Sequence, residues 1–386
     1  MKKTLLILLS SMLLVVVILI VILFLNKKEV PNYDHLSPSI YPKREIYSID
    51  MMMVGDALYH YDTYTDGKNR NNNSYNYEYQ LEYIKPIIDN YDLAFYNQES
   101  ILGGNSLGFS SYPRFNTPSQ VGDAFVDAGF NVVSLANNHT LDKNEMGVIN
   151  SINYWKTKDV VTAGSYASSE DRNDIKIHSK NNINYVFLSY TTTTNGLSAP
   201  KGKEYLVNTY SYDKVKNDIE KIKDKTDIIL VSMHWGVEYQ HTPSNRQVQI
   251  ANELSSLGVD VVIGHHPHVV QPIEQINDTV VFYSLGNFIS GQIGIERLIG
   301  LLGGIRIEKE IIDDKIVDVS IKKISGDLVY TYKNKYSKNY KIYPFALLTN
   351  NILPNYEKIK NTYEGYLNIK ANPNISIGKL KIDKEK

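Results

Sequence analysis

The chain has 386 residues, 42% hydrophobic and 22% charged, with a formal net charge of -1. It is long enough to bury a large core as one domain or two, and with no Lys/Arg block it lacks the electrostatic footprint of a nucleic-acid binder. It has no cysteine, which excludes disulfides, thiolate metal sites, cysteine nucleophiles and a cysteine-linked lipid anchor.

Lys2-Lys3 precede residues 4–25, which carry no charge. At about 1.5 Å per residue, a helix of that length crosses a bilayer core of roughly 30 Å. A cleaved signal peptide has a shorter apolar region and a small-residue cleavage site, and no such site stands near Leu25-Asn26. Residues 1–25 are therefore expected to anchor the chain in the cytoplasmic membrane. The expected topology is single-pass, with the N-terminus inside and an extracellular C-terminal domain. Residues 26–45 are polar and contain proline, and read as a linker.

From residue 46, β-branched and apolar runs alternate with helical patterns. Strands are expected at 46–54, 93–96, 131–135, 184–190, 227–233, 259–263 and 280–284. Helices are expected at 80–90, 118–128, 147–156, 213–223 and 246–256. Residues 66–79 read as an Asn/Tyr-rich loop beside the site. Residues 303–309 and 315–324 read as a closing hairpin around Asp313-Asp314. The alternation predicts an α/β body over 46–325 with its functional loops after strand C-termini. Residues 326–386 read as a C-terminal extension.

Five strand ends carry polar groups. Met51-Met52-Met53-Val54-Gly55-Asp56 delivers a carboxylate, with Gly55 allowing a turn; alone, Gly-Asp is a common turn. Leu93-Ala94-Phe95-Tyr96-Asn97-Gln98-Glu99 delivers Glu99 beside the Asn97 amide. Val132-Val133-Ser134-Leu135-Ala136-Asn137-Asn138-His139 ends in two amides and an imidazole, with Asp142 close by. There Asn138 offers a carbonyl oxygen to a metal, His139 a general acid, and Asp142 a group to orient it. Ile228 to His234 places His234 at a strand end, with Glu238 four residues on as either a group that supports a ligand or a substrate group. Val261-Val262-Ile263-Gly264 runs into His265-His266-Pro267-His268, of which His266 and His268 have ligand spacing. Asn287 follows one further buried strand and either touches the site or caps its turn.

A fold that gathers its strand C-termini on one edge gathers all these groups. The mixed oxygen and nitrogen set suits Zn, Mn or Fe better than Ca or Mg. Such an ion lowers the pKa of water and polarises a phosphoryl or acyl oxygen.

With these segments in view, the chain resembles the CapA family of capsule-synthesis proteins associated with poly-gamma-glutamate production. The matching residues are Gly55-Asp56, Asn97-x-Glu99, Ala136-Asn137-Asn138-His139-x-x-Asp142, His234-Trp235-Gly236-x-Glu238-Tyr239, Gly264-x-His266-Pro267-His268 and Tyr283-Ser284-Leu285-Gly286-Asn287-Phe288. That family is similar in turn to calcineurin-like metallophosphoesterases. The resemblance implies a four-layer α/β/β/α sandwich. It implies Asp56, Glu99, Asn138, His234, His266 and His268 as ligands of one or two divalent transition-metal ions, and His139 as the acid. Asn97, Asn137, Glu238 and Asn287 are expected as substrate-binding residues. Leu58 stands where the metallophosphoesterase pattern has a histidine, and Glu99 stands for the bridging aspartate.

The expected function is assembly or export of an anionic polymer at the membrane, with a phosphoesterase-type hydrolase site and capsule-synthase subunits as partners. The alternative is a non-catalytic polymer-binding component of the same complex. A phosphodiesterase acting on teichoic-acid-like or nucleotide substrates would need a phosphate clamp, for which Arg114 and Arg246 are the candidates.

Overall fold

The computed structural model of the chain describes residues 14–22, 42–68, 74–367 and 373–380. The chain divides into two compact units, Met1–Arg44 and Glu45–Lys386. In the first, residues 14–22 are helical and expose Leu, Val and Ile side chains. Among the described residues, no helix is long and apolar enough to cross a membrane. The rest of the anchor expected at 4–25 lies outside the described residues.

The second unit is a mixed α/β, sheet-rich body. The chain lays down β1 (Arg44–Leu58), β2 (Leu93–Asn97), β3 (Val132–Ser134) and β4 (Val161–Ala163) of one sheet. It then builds a second sheet from β5 (His178–Lys180), β6 (Ile183–Thr191), β7 (Ile228–His234), β8 (Val261–His265), β9 (Ile273–Ile276) and β10 (Thr279–Phe282). It returns to the first with β11 (Asn287–Ser290), β12 (Ile299–Ile312), β13 (Lys315–Tyr332), β14 (Lys341–Pro344) and β15 (Ile375–Ile377). The first sheet runs β14-β13-β12-β1-β2-β3-β4, with β11 also on β1 and β15 on β13; the second runs β5-β6-β7-β8-β10-β9. β1 to β4 are parallel, as are β6, β7, β8 and β10.

Parallel strands covered on both faces read as continuous apolar runs, and β1 is such a run, with Met51, Met52, Met53 and Val54 all fully buried. Alternate side chains serve different layers. Met51, Met53 and Phe95 face Phe187, Leu230 and Ile263 of the second sheet. Met52, Val54 and Tyr96 pack with Val121 and Phe125 of the helix Gln120–Ala128. On the far side, Val186, Val231 and Val262 meet Val215 and Ile219 of Tyr212–Ile222 and Ile250 and Leu254 of Asn245–Ser256. Removing the Phe95 ring, which meets Phe187 at 5.6 Å between centroids, would cost about 3–5 kcal/mol.

The strand entries share one device. Asp92, Asn131, Asp227 and Asp260 each immediately precede a parallel strand. Their side chains accept the backbone N–H of Asp50 (2.9 Å), Ala94 (2.9 Å), Asn184 (2.8 Å) and Ile229 (2.7 Å) on the neighbouring strand. A backbone donor at a sheet edge needs a partner when buried, and these residues supply one. Asp227 also meets the buried Lys309 Nζ of β12 at 2.7 Å, tying the two sheets together at this edge.

Several expectations are revised. The stretch 80–90 is not one helix: a 3-10 turn at Glu78–Gln80 is followed by the short helix Lys85–Ile88, with Pro86 in its first turn. Proline lacks a backbone N–H and suits a helix start rather than its interior. β1 does not turn at Gly55 but continues to Leu58. The glycine is needed because a Cβ there would lie 1.9 Å from the Gly286 carbonyl oxygen. In the stretch 66–79, Tyr77 is buried with its ring edge-on to Tyr59, so this part belongs to the core. The hairpin is longer than expected, yet it turns at Asp313-Asp314, both with positive φ, as a two-residue hairpin turn requires. The boundary expected at 325/326 falls inside β13, and the later strands β14 and β15 pair with it.

Candidate metal centre

Asp56 stands near the end of β1, among the strand-exit groups. It pairs in register with Asn97 of β2 on one side and Asn287 of β11 on the other. Both ladders shift register beside it, and such irregularities re-aim a side chain. Beyond β2 lies Glu99; beyond β3 lie Asn138 and His139. His234 ends β7, and His266 and His268 follow β8. The last two have φ of 95° and 58°, a strained backbone that for non-glycine residues is held by its surroundings and clusters at functional sites.

Three sets of side chains each bring one ligand atom per residue within 4.8 Å of the others: Glu99, His234 and His266; Asp56, Glu99 and His268; and Glu238, His266 and His268. Glu99 Oε1 lies 3.6 Å from His234 Nε2 and 3.7 Å from His268 Nε2. Asp56 is held firmly: Oδ1 accepts from Asn97 Nδ2 at 2.8 Å and meets His265 Nδ1 at 3.1 Å, while Oδ2 lies 3.2 Å from His268 Nδ1. Asn287 Oδ1 is 3.0 Å from that same His268 nitrogen. These contacts favour the tautomer that turns the His268 Nε2 lone pair toward Glu99.

The residues around Glu99 are short of partners. Both Glu99 carboxylate oxygens, Asn97 Oδ1, Asn138 Oδ1, His234 Nε2 and His266 Nδ1 are buried without a hydrogen bond among the described residues. Unmet acceptors of this kind cost about 1–3 kcal/mol each, so their convergence in one place calls for a function. All have lone pairs to give a cation, and mixed carboxylate, imidazole and amide donors suit a divalent transition metal.

The electrostatics agree. Burial, and then the Asp56 charge, push the Glu99 carboxyl well above its usual range. Burial also raises Asp56, but the hydrogen bonds of His265 and His268 outweigh it and hold Asp56 well below the usual range. Burial, reinforced by His268, lowers His266 to about 4. Burial and His266 push His234 well below the imidazole range. Neutral imidazoles and a carboxyl that lacks a compensating cation form a ready ligand set.

Beside this cluster, His139 Nδ1 lies 2.7 Å from Asp142 Oδ2. The same carboxylate oxygen accepts the Phe115 N–H at 2.6 Å, and the Phe115 ring stands edge-on to His139 at 4.6 Å. The imidazole is thus fixed in orientation by a carboxylate and an aromatic wall, the arrangement a proton donor needs.

The structure brings Asp56, Glu99, His234, His266, His268 and Glu238 into the ligand sets. Asn138 lies nearby with its carbonyl unmet, its amide 3.4 Å from Asn195. Asn137 is engaged at both ends, by Gln98 O and by the His139 N–H. So is Asn287, which also donates to Gln292 and to the Arg297 carbonyl. Glu238 is exposed at the mouth.

Sequence reasoning missed three neighbours. His265 is wholly buried and braces Asp56. Phe115 orients the acid. His60, half-buried and lowered to about 4 by burial, has its ring 5.2 Å from that of Phe115 between centroids. A histidine two residues past Leu58, at the exit of β1, was the available signal. Of the two clamp candidates, Arg246 is occupied at Glu253 and over the Tyr210 ring on the outer helix. Arg114 adjoins Phe115 and donates to Asn144 at 2.9 Å.

The family model described as bacterial capsule synthesis protein PGA_cap matches residues 50–292, more than half of the chain. The chain belongs to this family. The match runs from within the Asp56 strand to just past Asn287, so it takes in every residue of the three ligand sets. Among relatives, the PGA biosynthesis protein CapA of Bacillus subtilis (strain 168) is 36% identical over 43% of this chain and 44% of its own length. The capsule biosynthesis protein CapA of Bacillus anthracis is 29% identical over 64% of this chain and 61% of its own. This PGA_cap member thus spans less than two thirds of either relative. Solved structures with similarity include the calcineurin-like phosphoesterase YfkN of Bacillus subtilis, at 14% identity and a TM-score of 0.42 over 83% of this chain and 99% of that one. A hypothetical protein from Thermus thermophilus has 14% identity and a TM-score of 0.42 over 72% of this chain and 98% of that one.

Proposed function

We propose that this protein is a membrane-anchored accessory of capsule or poly-gamma-glutamate synthesis, with a metal-dependent hydrolase site of phosphoesterase type. The observation that carries the hydrolase reading is the group of partnerless ligand atoms around Glu99, set beside the oriented His139–Asp142 pair. Asp56, Glu99, Asn138, His234, His266 and His268 would hold one or two ions of Zn, Mn or Fe, with Glu99 common to two of the ligand sets. A bound ion would polarise an ester or acyl oxygen. His139 protonates the leaving group, Asp142 holds it in place, and the loop carrying Phe115 screens the pair from water. Asn97 offers a carbonyl oxygen to substrate. Asn137 and Asn287 keep the loops in shape.

The anchor is proposed from the uncharged run 4–25 behind Lys2-Lys3. It puts the body outside the cell, beside synthase subunits and the nascent anionic polymer. Family membership and the names of the Bacillus relatives support the capsule setting.

The test is hydrolysis by metal-loaded full chain of phosphomonoesters, phosphodiesters and γ-glutamyl amides, beside His139→Ala. The expected outcome is cleavage of one class, reduced in the variant. A metal-loaded protein that cleaves none of them would leave the non-catalytic polymer-binding role in its place.

A further inference from the structure

Of the three ligand sets, that of Glu238, His266 and His268 differs from the others in where its carboxylate sits. Asp56 and Glu99 are wholly buried at strand exits, whereas Glu238 is exposed on the loop after β7. An exposed side chain gives up rotamer freedom when it joins a metal, so such a ligand is useful only if its loop is held.

This loop is held, and by the segment that carries the two histidines. Tyr239 N donates at 2.7 Å to the carbonyl of Pro267, which stands between His266 and His268. Gln271 Nε2 donates to Gln240 O at 2.7 Å and to Thr242 O at 3.4 Å, and its Oε1 accepts from Gln247 Nε2 at 2.7 Å. His241 Nδ1 lies 2.8 Å from Val270 O; a carbonyl only accepts, so that nitrogen carries the hydrogen. Residues 239–242 are thus laced to 267–271. Tyr239, His266 and His268 have φ of 66°, 95° and 58°, a backbone conformation that the surroundings must impose.

Part of those surroundings comes from the far end of the chain. The Tyr366 ring stacks on His241, 4.1 Å between centroids and 11° between planes. Tyr363 stands edge-on to His241 at 5.6 Å and to Tyr366 at 5.7 Å. Both tyrosines lie on the helix Tyr356–Leu367, which Tyr363 and Leu367 root in the core between the sheets. Packed aromatic rings fix one another in plane as well as in place. This helix lies beyond the residues the family model matches, and no part of it supplies a ligand to the three sets.

We propose that Glu238, with His266 and His268, holds an outer metal ion on the mouth side of the Glu99 cluster, and that Tyr366 is a positioning residue for it through His241. This rests on the metal-centre reading above. Glu238 is then a ligand rather than a substrate group, and the C-terminal helix is a support of the site.

The experiment reads ions bound per full chain by elemental analysis and their affinities by calorimetry with Zn and with Mn. The melting temperature of the metal-free protein is taken on the same samples. The parent should bind two ions. Glu238→Gln, at an exposed position, should bind one fewer with its melting temperature unchanged. Tyr366→Ala should weaken the outer ion about 10–100-fold and leave the inner one unchanged, and Tyr366→Phe, which keeps the stacked ring, should restore it. A Glu238→Gln protein that binds as many ions as the parent, as tightly, overturns the inference and leaves the inner centre standing. A Tyr366→Ala protein that melts lower yet holds the outer ion as the parent does makes the helix merely structural and overturns the positioning role. Protein that takes up no ion overturns the reading underneath.

Discussion

The two edges of these sheets use the same residue types to opposite ends. At the strand entries, Asp92, Asn131, Asp227 and Asp260 each find a backbone donor on the next strand, and Asp227 finds a lysine as well. At the strand exits, Glu99, Asn97, Asn138, His234 and His266 hold buried atoms with no partner among the described residues. Polar groups at the entry edge stabilise the fold, and those at the exit edge strain it. Natural proteins carry such strain where function requires it. The contrast separates structural acids from functional ones without reference to any relative.

The largest effect expected is on metal binding. Glu99→Gln or His234→Ala should weaken metal affinity at least about a hundredfold, since each removes a donor from a preformed set. Burial and the Asp56 charge raise Glu99, and a carboxyl must be deprotonated to ligate a metal. Affinity should therefore rise with pH, as calorimetry in buffers of different ionisation enthalpy would record. The metal-free Glu99→Gln protein should melt no lower than the parent. A large drop in its melting temperature would erase the contrast between the edges.

Next comes His139→Ala, which should lower turnover by about 10²–10⁴-fold with metal content unchanged. Loss of metal in that variant would make His139 a ligand rather than an acid.

At the opposite edge, Asp227→Ala should cost about 3 kcal/mol in a urea titration, because it strands the buried Lys309 ammonium, again with metal content unchanged.

The smallest effect concerns Asp260, which burial raises to about 6 from 3.8. A carboxyl with a raised folded pKa favours the folded state below its unfolded pKa and loses that contribution as pH rises through the folded value. Stability should thus fall by about 2 kcal/mol between pH 3.8 and about pH 6, and Asp260→Asn should flatten that slope.

Much of this was legible in the residues. The buried apolar run in the second half of β1, the regular α/β alternation and the Asp313-Asp314 turn write their structure in apolar period and turn chemistry. The polar strand ends told where the site lies, since parallel strands present their C-termini together. What stayed hidden depends on tertiary neighbours. Gly55 reads as a turn until the Gly286 carbonyl is seen against it. His265 reads as a spare imidazole until Asp56 arrives from the other sheet, 209 residues away in sequence. Phe115 and His60 meet across a loop that has no period. The four entry residues look like ordinary loop acids and amides, because the N–H they satisfy belongs to a different strand.

The most direct test of the central claim is the metal content of the purified full chain after reconstitution with Zn, Mn or Fe, measured by elemental analysis beside Glu99→Gln and His234→Ala. The account predicts one or two tightly held ions in the parent and their loss in both variants. A parent that retains no ion under any of these conditions, or variants that retain as much as the parent, would contradict it.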